Sequence, residues 1–257
     1  LNRVANFLVT PGKGVLAADE SAGTVKKRFD VIGVECTEDN RRDYRELGAK
    51  FAKWRAVIDI GAGIPSYACI NANAHALARY AALCQSEDIV PIVEPEVLMD
   101  GDHDIDRCAE VTEFALKALY EQLYYARVKL EGTVLKPNMV VPGKKSAKQA
   151  SVAEVAEKTI RVLKECVPAA VPGIAFLSGG QSDVDATARL DAMNKIGGLP
   201  WKVSFSYSRA LQAAPQKAWS GRLENVPAAQ AAFAHRARMN GLASLGQWKP
   251  ELEQAAA

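Results

Sequence analysis

Short apolar, β-rich runs alternate along this chain with longer stretches of helical periodicity. The runs that read as strands are Gly14 to Ala18, Arg55 to Ile60, Val90 to Glu94, Gly132 to Leu135, Gly173 to Leu177 and Val203 to Ser206. Helical patterns cover Asn71 to Gln85, Asp104 to Tyr124, Val152 to Glu165, Asp183 to Asn194 and Ala228 to Leu245. Such an alternation predicts parallel strands with helical crossovers, in either a doubly wound sheet or a barrel.

Polar residues at the strand ends separate these two. Asp19 and Ser21 follow the first strand, Lys53 and Arg55 open the second, Glu94 and Glu96 close the third and Lys136 the fourth. Ser178, Gly179 and Gly180 follow the fifth, and Ser206 and Arg209 end the sixth. A barrel gathers all its strand ends around one mouth, whereas an open sheet concentrates its ligands at a switch point. The distribution predicts an α/β barrel in one domain over residues 1–257.

Composition narrows the partners. A chain of 257 residues, 49% hydrophobic and 24% charged, can bury a large core, and its net charge of +2 suggests neither nucleic acid nor an anionic membrane as partner. Five scattered cysteines (Cys36, Cys69, Cys84, Cys108, Cys166), with no CxxC pair, read as free thiols filling the core in a reducing compartment, here the cytoplasm. No apolar stretch reaches the length of a membrane span.

Lys136 is the residue whose placement demands chemistry. Gly132, Thr133, Val134 and Leu135 form a mostly apolar run and Pro137 cannot extend a ladder, so the lysine is delivered to the end of a buried strand. Burial disfavours an ammonium and would lower its pKa, leaving free amine to attack a carbonyl carbon and form a Schiff base. A lysine snorkelling from the sheet end to solvent is the alternative on this stretch alone.

The segments LAADESAGTVKKRF, FAKWR, VPIVEPEV, LEGTVLKPNMVVPG, FLSGGQS and FSYSRALQ, in this order, closely resemble the class I fructose-bisphosphate aldolases over essentially the whole chain. The resemblance implies a TIM (β/α)8 barrel that reversibly cleaves fructose 1,6-bisphosphate to dihydroxyacetone phosphate and glyceraldehyde 3-phosphate, in glycolysis and gluconeogenesis. It implies no cofactor, no metal and a homotetramer. By motif, Lys136 matches the Schiff-base lysine, Lys53 an active-site lysine, Arg55 a phosphate-contacting arginine, and Glu94 and Glu96 the paired glutamates. Asp19, Ser21, Thr24 and Arg28 match the first-strand site and its phosphate ligands; Ser178, Gly179, Gly180, Ser206 and Arg209 match the other phosphate pocket.

Physical chemistry accommodates these roles. An iminium at C2 absorbs the carbanion character left when the C3–C4 bond breaks. Glu94 suits the proton transfers of iminium formation, with Glu96 as its partner, and the run Glu94, Pro95, Glu96 puts both carboxylates on one face of an extended segment. Asp19 would polarise the C4 hydroxyl or assist the C3 proton step; it reads equally as a helix N-terminal carboxylate. Lys53 and Arg55 read otherwise as a solvated basic pair. The family usually has glycine where this chain has Ser208, which bears on close backbone approach to phosphate.

Other motifs do not hold together. The run Asp100, Asp102, Asp104, Asp106 lacks a calcium loop's sixth-position glycine and has Val111 in place of its glutamate, so it reads as helix-capping acid. Gly143, Lys144, Lys145 and Ser146 suggest a P-loop, but Asn138 occupies the upstream glycine position. His75, His103 and His235 lack ligand spacing.

Six strands are visible where a closed barrel needs eight. After RRDYRELG, ending at Gly48, the sequence passes to AKFAKW, where the family carries two further β/α units. Two β/α units therefore belong between Gly48 and Ala49 that this sequence omits. The alternative is a true deletion that impairs catalysis and leaves a binding or scaffold protein. A different Schiff-base lyase or a transaldolase-like enzyme on the same barrel is a further reading, which the two phosphate sites discriminate.

Overall fold

The computed structural model describes residues 1–17, 35, 37 and 50–256. Among them are six strands: β1 (Val15–Leu16), β2 (Phe51–Ile58), β3 (Val90–Val97), β4 (Val134–Leu135), β5 (Gly173–Phe176) and β6 (Lys202–Tyr207). The α-helices are α1 (Asn2–Leu8), α2 (Tyr67–Ser86), α3 (Ile105–Tyr125), α4 (Val152–Cys166), α5 (Asp183–Ile196), α6 (Arg209–Trp219) and α7 (Val226–Ala243).

Every strand pairing is parallel, in the order β1-β6-β5-β4-β3-β2. Strands β2 to β6 neighbour one another in chain order, and the first strand pairs with the last, Val15 opposite Ser206 and Leu16 opposite Tyr207. That pairing is a barrel's closure, and a doubly wound sheet does not make it. Among the described residues the curled sheet is therefore a partial TIM-type barrel, open between β1 and β2. This interval of the chain holds Gly48 and Ala49, a junction that lies outside the described residues. Along these two edges, which have no further strand among the described residues, Leu16, Phe51, Trp54 and Val57 are exposed.

The two faces of the sheet divide the core. Val93, Val97, Leu135, Ile174, Phe176, Val203, Phe205 and Tyr207 point outward and pack with the buried faces of the helices. The alternate positions Val90, Ile92, Val134 and Ala175 point inward, where Ala5 and Leu8 of α1, with Val9, close the barrel's lower end. One pleat step or two further along, the same inward register carries Glu94, Glu96 and Lys136. The interior is thus apolar at the strands' N-terminal ends and ionic at their C-terminal ends.

Local signals fix the helix starts. Ser66, Asp104, Ser151 and Ser182 each accept a hydrogen bond from the backbone N–H three residues on, capping α2, α3, α4 and α5. Each cap contributes about 1 kcal/mol. The Asp104 cap bears out capping acid in that run.

The expected strand limits need correction in three places. Strand β3 continues past Glu94 to Val97 despite Pro95. Even-numbered N–H groups carry the ladder toward β2, as Val90 donates to the Lys50 carbonyl and Leu98 to Ile58, while odd positions face β4. There Val97 donates to the Asn138 side chain, and β4 is only two residues long, so the donors that Pro91 and Pro95 lack interrupt little. Strand β2 begins at Phe51, so Lys53 and Arg55 lie within it rather than at its opening. Gly132, expected in β4, ends a 3-10 turn over Leu130–Gly132. Of the described cysteines only Cys108 is buried; Cys69 is exposed and Cys84 and Cys166 are half-buried, so core filling describes one of them.

Trypsin cuts after Arg45 and Lys50, so a direct Gly48–Ala49 bond yields the peptide ELGAK. In a digest of the protein from its natural source this peptide should be absent, replaced by peptides of the omitted β/α units. Finding ELGAK would establish the open barrel as a true deletion.

Candidate active site

The site is assembled from neighbouring strands whose inward residues meet at the mouth of the barrel. In β2, Lys53 and Arg55 are two residues apart and share a face; in β3, Glu94 and Glu96 repeat that spacing. The register sets Arg55 opposite Glu94, so the ion pairs run diagonally, Lys53 to Glu94 and Arg55 to Glu96. Lys136 follows β4 directly and its N–H still donates to the Val93 carbonyl at 2.8 Å, extending the ladder by one residue before Pro137. Its side chain is 5% exposed, which excludes the snorkelling alternative.

One carboxylate holds two ammonium groups. Glu94 Oε1 lies 3.2 Å from Lys136 Nζ and Oε2 lies 3.0 Å from Lys53 Nζ, with Glu94 itself 3% exposed. Oε2 has no directed hydrogen bond among the described residues, so its contact with Lys53 is coulombic. Beside it the Glu96 carboxylate accepts from Arg55 Nε. Asn138, which the sequence reading treated only as an obstacle to a P-loop, is buried beneath the site, donates to Thr112 Oγ1 at 3.1 Å and accepts from the Val97 N–H at 3.0 Å. It fixes the ends of β3 and β4 relative to each other.

These side chains line a pocket of about 430 Å³ with Ala17, Leu177, Ser178, Gly179, Ser206, Ser208, Arg209, Gln212 and Gln216. That volume suits a small phosphorylated sugar. Its described lining carries Lys53, Arg55, Lys136 and Arg209 against Glu94 and Glu96, a surplus of positive charge that favours an anionic ligand. Gly179 (φ +58°) and Gly180 (φ +91°) turn the chain in a left-handed conformation between Ser178 and the Ser182 cap of α5. Arg209 is the first residue of α6, whose N-terminal end faces the pocket.

Most of the expected site therefore converges. Lys53, Arg55, Glu94, Glu96, Lys136, Ser178, Gly179, Ser206 and Arg209 share one pocket; Gly180 stands at its rim. Asp19, Ser21, Thr24 and Arg28 lie outside the described residues. Ser208 has φ −105°, which any residue adopts, so its position makes no left-handed demand for glycine. The sequence reading missed Gln212 and Gln216, which follow Ser208 and Arg209 at helical spacing on α6. Recognising that helix would have found them.

The model of the fructose-bisphosphate aldolase class-I family matches residues 1–47 and 43–257. The chain belongs to the class I fructose-bisphosphate aldolase family. Members of this family are lyases. A probable fructose-bisphosphate aldolase class 1 of Xanthomonas campestris is 45% identical over 328 aligned positions, covering 97% of this chain and 98% of the relative. Fructose-bisphosphate aldolase 4, cytosolic, of Arabidopsis thaliana is 42% identical, covering 97% and 84%. The solved fructose-bisphosphate aldolase of Plasmodium falciparum, in complex with TRAP and a small molecule inhibitor, superposes with a TM-score of 0.86 at 36% identity, covering 96% of this chain and 94% of that one. An alignment of 328 positions exceeds the 257 residues here, so the aldolase relative holds positions with no counterpart in this chain. The two-piece family match divides beside the opening between β1 and β2.

Removing a buried partner charge is costly, while removing an exposed one is not. Glu94→Gln should therefore lower the unfolding free energy by about 2–4 kcal/mol, since Lys53 and Lys136 lose their shared counter-charge. Glu113→Gln, in the exposed Glu113–Lys117 pair of α3, should leave it unchanged within error. Equal losses in urea denaturation would contradict the bridging role of Glu94.

Proposed function

We propose that this chain is a class I fructose-bisphosphate aldolase acting through a Schiff base on Lys136. The observation that carries the reading is a lysine at the bottom of a cationic pocket, almost fully buried, with a carboxylate 3.2 Å from its nitrogen. Glu94 takes a proton from the lysine, and the free amine attacks C2 of fructose 1,6-bisphosphate. Glu94 then returns a proton to the carbinolamine oxygen, which leaves as water, and the C2 iminium remains. Removal of the O4 proton breaks the C3–C4 bond, whose electrons flow into the iminium as glyceraldehyde 3-phosphate departs. Asp19 is assigned to this step or to the later protonation of C3. Water then hydrolyses the iminium and frees dihydroxyacetone phosphate and Lys136.

Lys53 and Arg55 hold Glu94 and Glu96 in place through the diagonal ion pairs. The glycine turn after Ser178, with Ser206 and Arg209, binds the phosphate nearest the Schiff base; Ser21, Thr24 and Arg28 bind the other. A pocket with surplus positive charge favours a phosphorylated ketose over a neutral one. The protein acts in the cytoplasm, a reading supported by a relative named as cytosolic and by the absence, among the described residues, of a helix long and apolar enough to cross a membrane. It assembles as a homotetramer, as the family resemblance implies.

Cleavage of fructose 1,6-bisphosphate, followed by coupled reduction of the triose phosphates, tests the assignment. Lys136→Met should reduce kcat by at least about 10⁴-fold, because no other nucleophile replaces the amine. Glu94→Gln should reduce kcat by roughly 10²- to 10⁴-fold, the range of a lost proton-transfer group. EDTA should leave the rate unchanged. Full activity of Lys136→Met, or loss of activity in EDTA, would contradict the lysine mechanism.

A further inference from the structure

The loops after β3 and β4 are laced together by their backbones at the rim of the pocket. Gly143 donates to the His103 carbonyl at 2.8 Å, Lys144 to Met99 at 2.7 Å and Lys145 to Gly101 at 3.0 Å. A β-carbon at Gly143 would lie 2.2 Å from the Gly101 carbonyl oxygen, so this close approach requires glycine. The lacing sets the Lys144 backbone beside Asp100, and Lys144 Nζ meets Asp100 Oδ1 at 2.8 Å.

The same lysine reaches the glycine turn after β5. A β-carbon built on Gly180 would lie 2.8 Å from Lys144 Nζ and 3.2 Å from Arg209 Nη2, so these cationic groups are at most about 6 Å apart. Arg209 and Gly179 line the pocket that contains Lys136. Two cations thus flank one turn at the mouth of an anion-binding pocket, with Asp100 beside them. The Lys144 ammonium, hydrogen-bonded to it, holds the Asp100 carboxyl below the usual carboxylate range, with Arg209 adding to the effect. The Lys144 and Asp100 side chains are 42% and 63% exposed, so their ion pair does little for stability.

Building on the aldolase reading, we infer that Lys144 is a further ligand for the substrate phosphate nearest Lys136, and that Asp100 competes with that phosphate for Lys144. In the free enzyme Asp100 neutralises the lysine. When a phosphate settles against Gly179, Gly180 and Arg209, the ammonium turns from the carboxylate to the phosphate oxygens, and Asp100 is left to solvent. Affinity for the phosphate is then set by the difference between two ion pairs, and the two residues have opposite effects on it. Glycine suits position 180 because its φ of +91° lies in the left-handed region, and the absence of a side chain leaves the space between the two cations open to a phosphate.

The test is borohydride trapping on Lys136 with dihydroxyacetone phosphate and, separately, with dihydroxyacetone, which has the same carbonyl and no phosphate. The readout is the ratio of the two trapping efficiencies. Lys144→Met should lower it roughly three- to ten-fold, the scale of one half-exposed charge-assisted contact, and Lys144→Arg should restore most of the loss. Asp100→Asn should raise the ratio, and should have no effect in the Lys144→Met background. An unchanged ratio in Lys144→Met would overturn the assignment while leaving the aldolase reading intact. An equal rise from Asp100→Asn with and without Lys144 would overturn the competition, since Asp100 would then act on Arg209 directly. Failure of the wild-type protein to trap either ketone would overturn the aldolase reading and this inference together.

Discussion

The carboxylate of Glu94 is the constraint around which the site is built. Two ammonium groups cannot be buried side by side without a counter-charge, and a single carboxylate with one oxygen on each lysine is the smallest arrangement that provides it. Because Lys53 and Glu94 stand on β2 and β3 and Lys136 directly follows β4, the contact also ties three adjacent strands together. The arrangement that tolerates the buried charge therefore sets the Lys136 nitrogen and a carboxylate oxygen 3.2 Å apart, as the proposed Schiff-base chemistry requires. Chemistry and strand registration depend on one group.

The remainder of the barrel makes that possible. Helices cover the outer face of the sheet and α1 closes the apolar lower interior, so water reaches the ionic layer from the mouth. The β1–β6 pairing holds the sheet curled, which brings Ser206 and Arg209 across from Lys53 and Arg55 onto a common pocket. The opening between β1 and β2 leaves that pocket's described members in place because all but Ala17, which follows β1, stand on strands β2 to β6 or on the segments that follow them. What it exposes is apolar edge, at Phe51, Trp54 and Val57, where further strands and helices would pack.

Much of this was legible in the sequence, for identifiable reasons. Apolar runs marked the existence and order of all six strands, and period-2 spacing put Glu94 with Glu96 on one face. The less legible parts are those where local rules conflict with tertiary context. A proline usually interrupts a ladder, yet β3 runs through Pro95 to Val97 because the missing donor faces the short strand β4 and costs little. Alternating Lys53 and Arg55 disguised the first half of β2, since inward charges at a barrel mouth resemble a solvated loop. Pro215 hid helix α6 and with it Gln212 and Gln216. Lys144 could not have been found from spacing at all, because backbone hydrogen bonds from Gly143, Lys144 and Lys145 to a loop distant in sequence set it beside Gly180.

The most direct measurement is the mass of the protein after incubation with dihydroxyacetone phosphate and reduction with borohydride, followed by mapping of the modified peptide. The account predicts one reduced triose phosphate per chain, attached to the nitrogen of Lys136. No adduct, or an adduct on Lys53 instead, would contradict it.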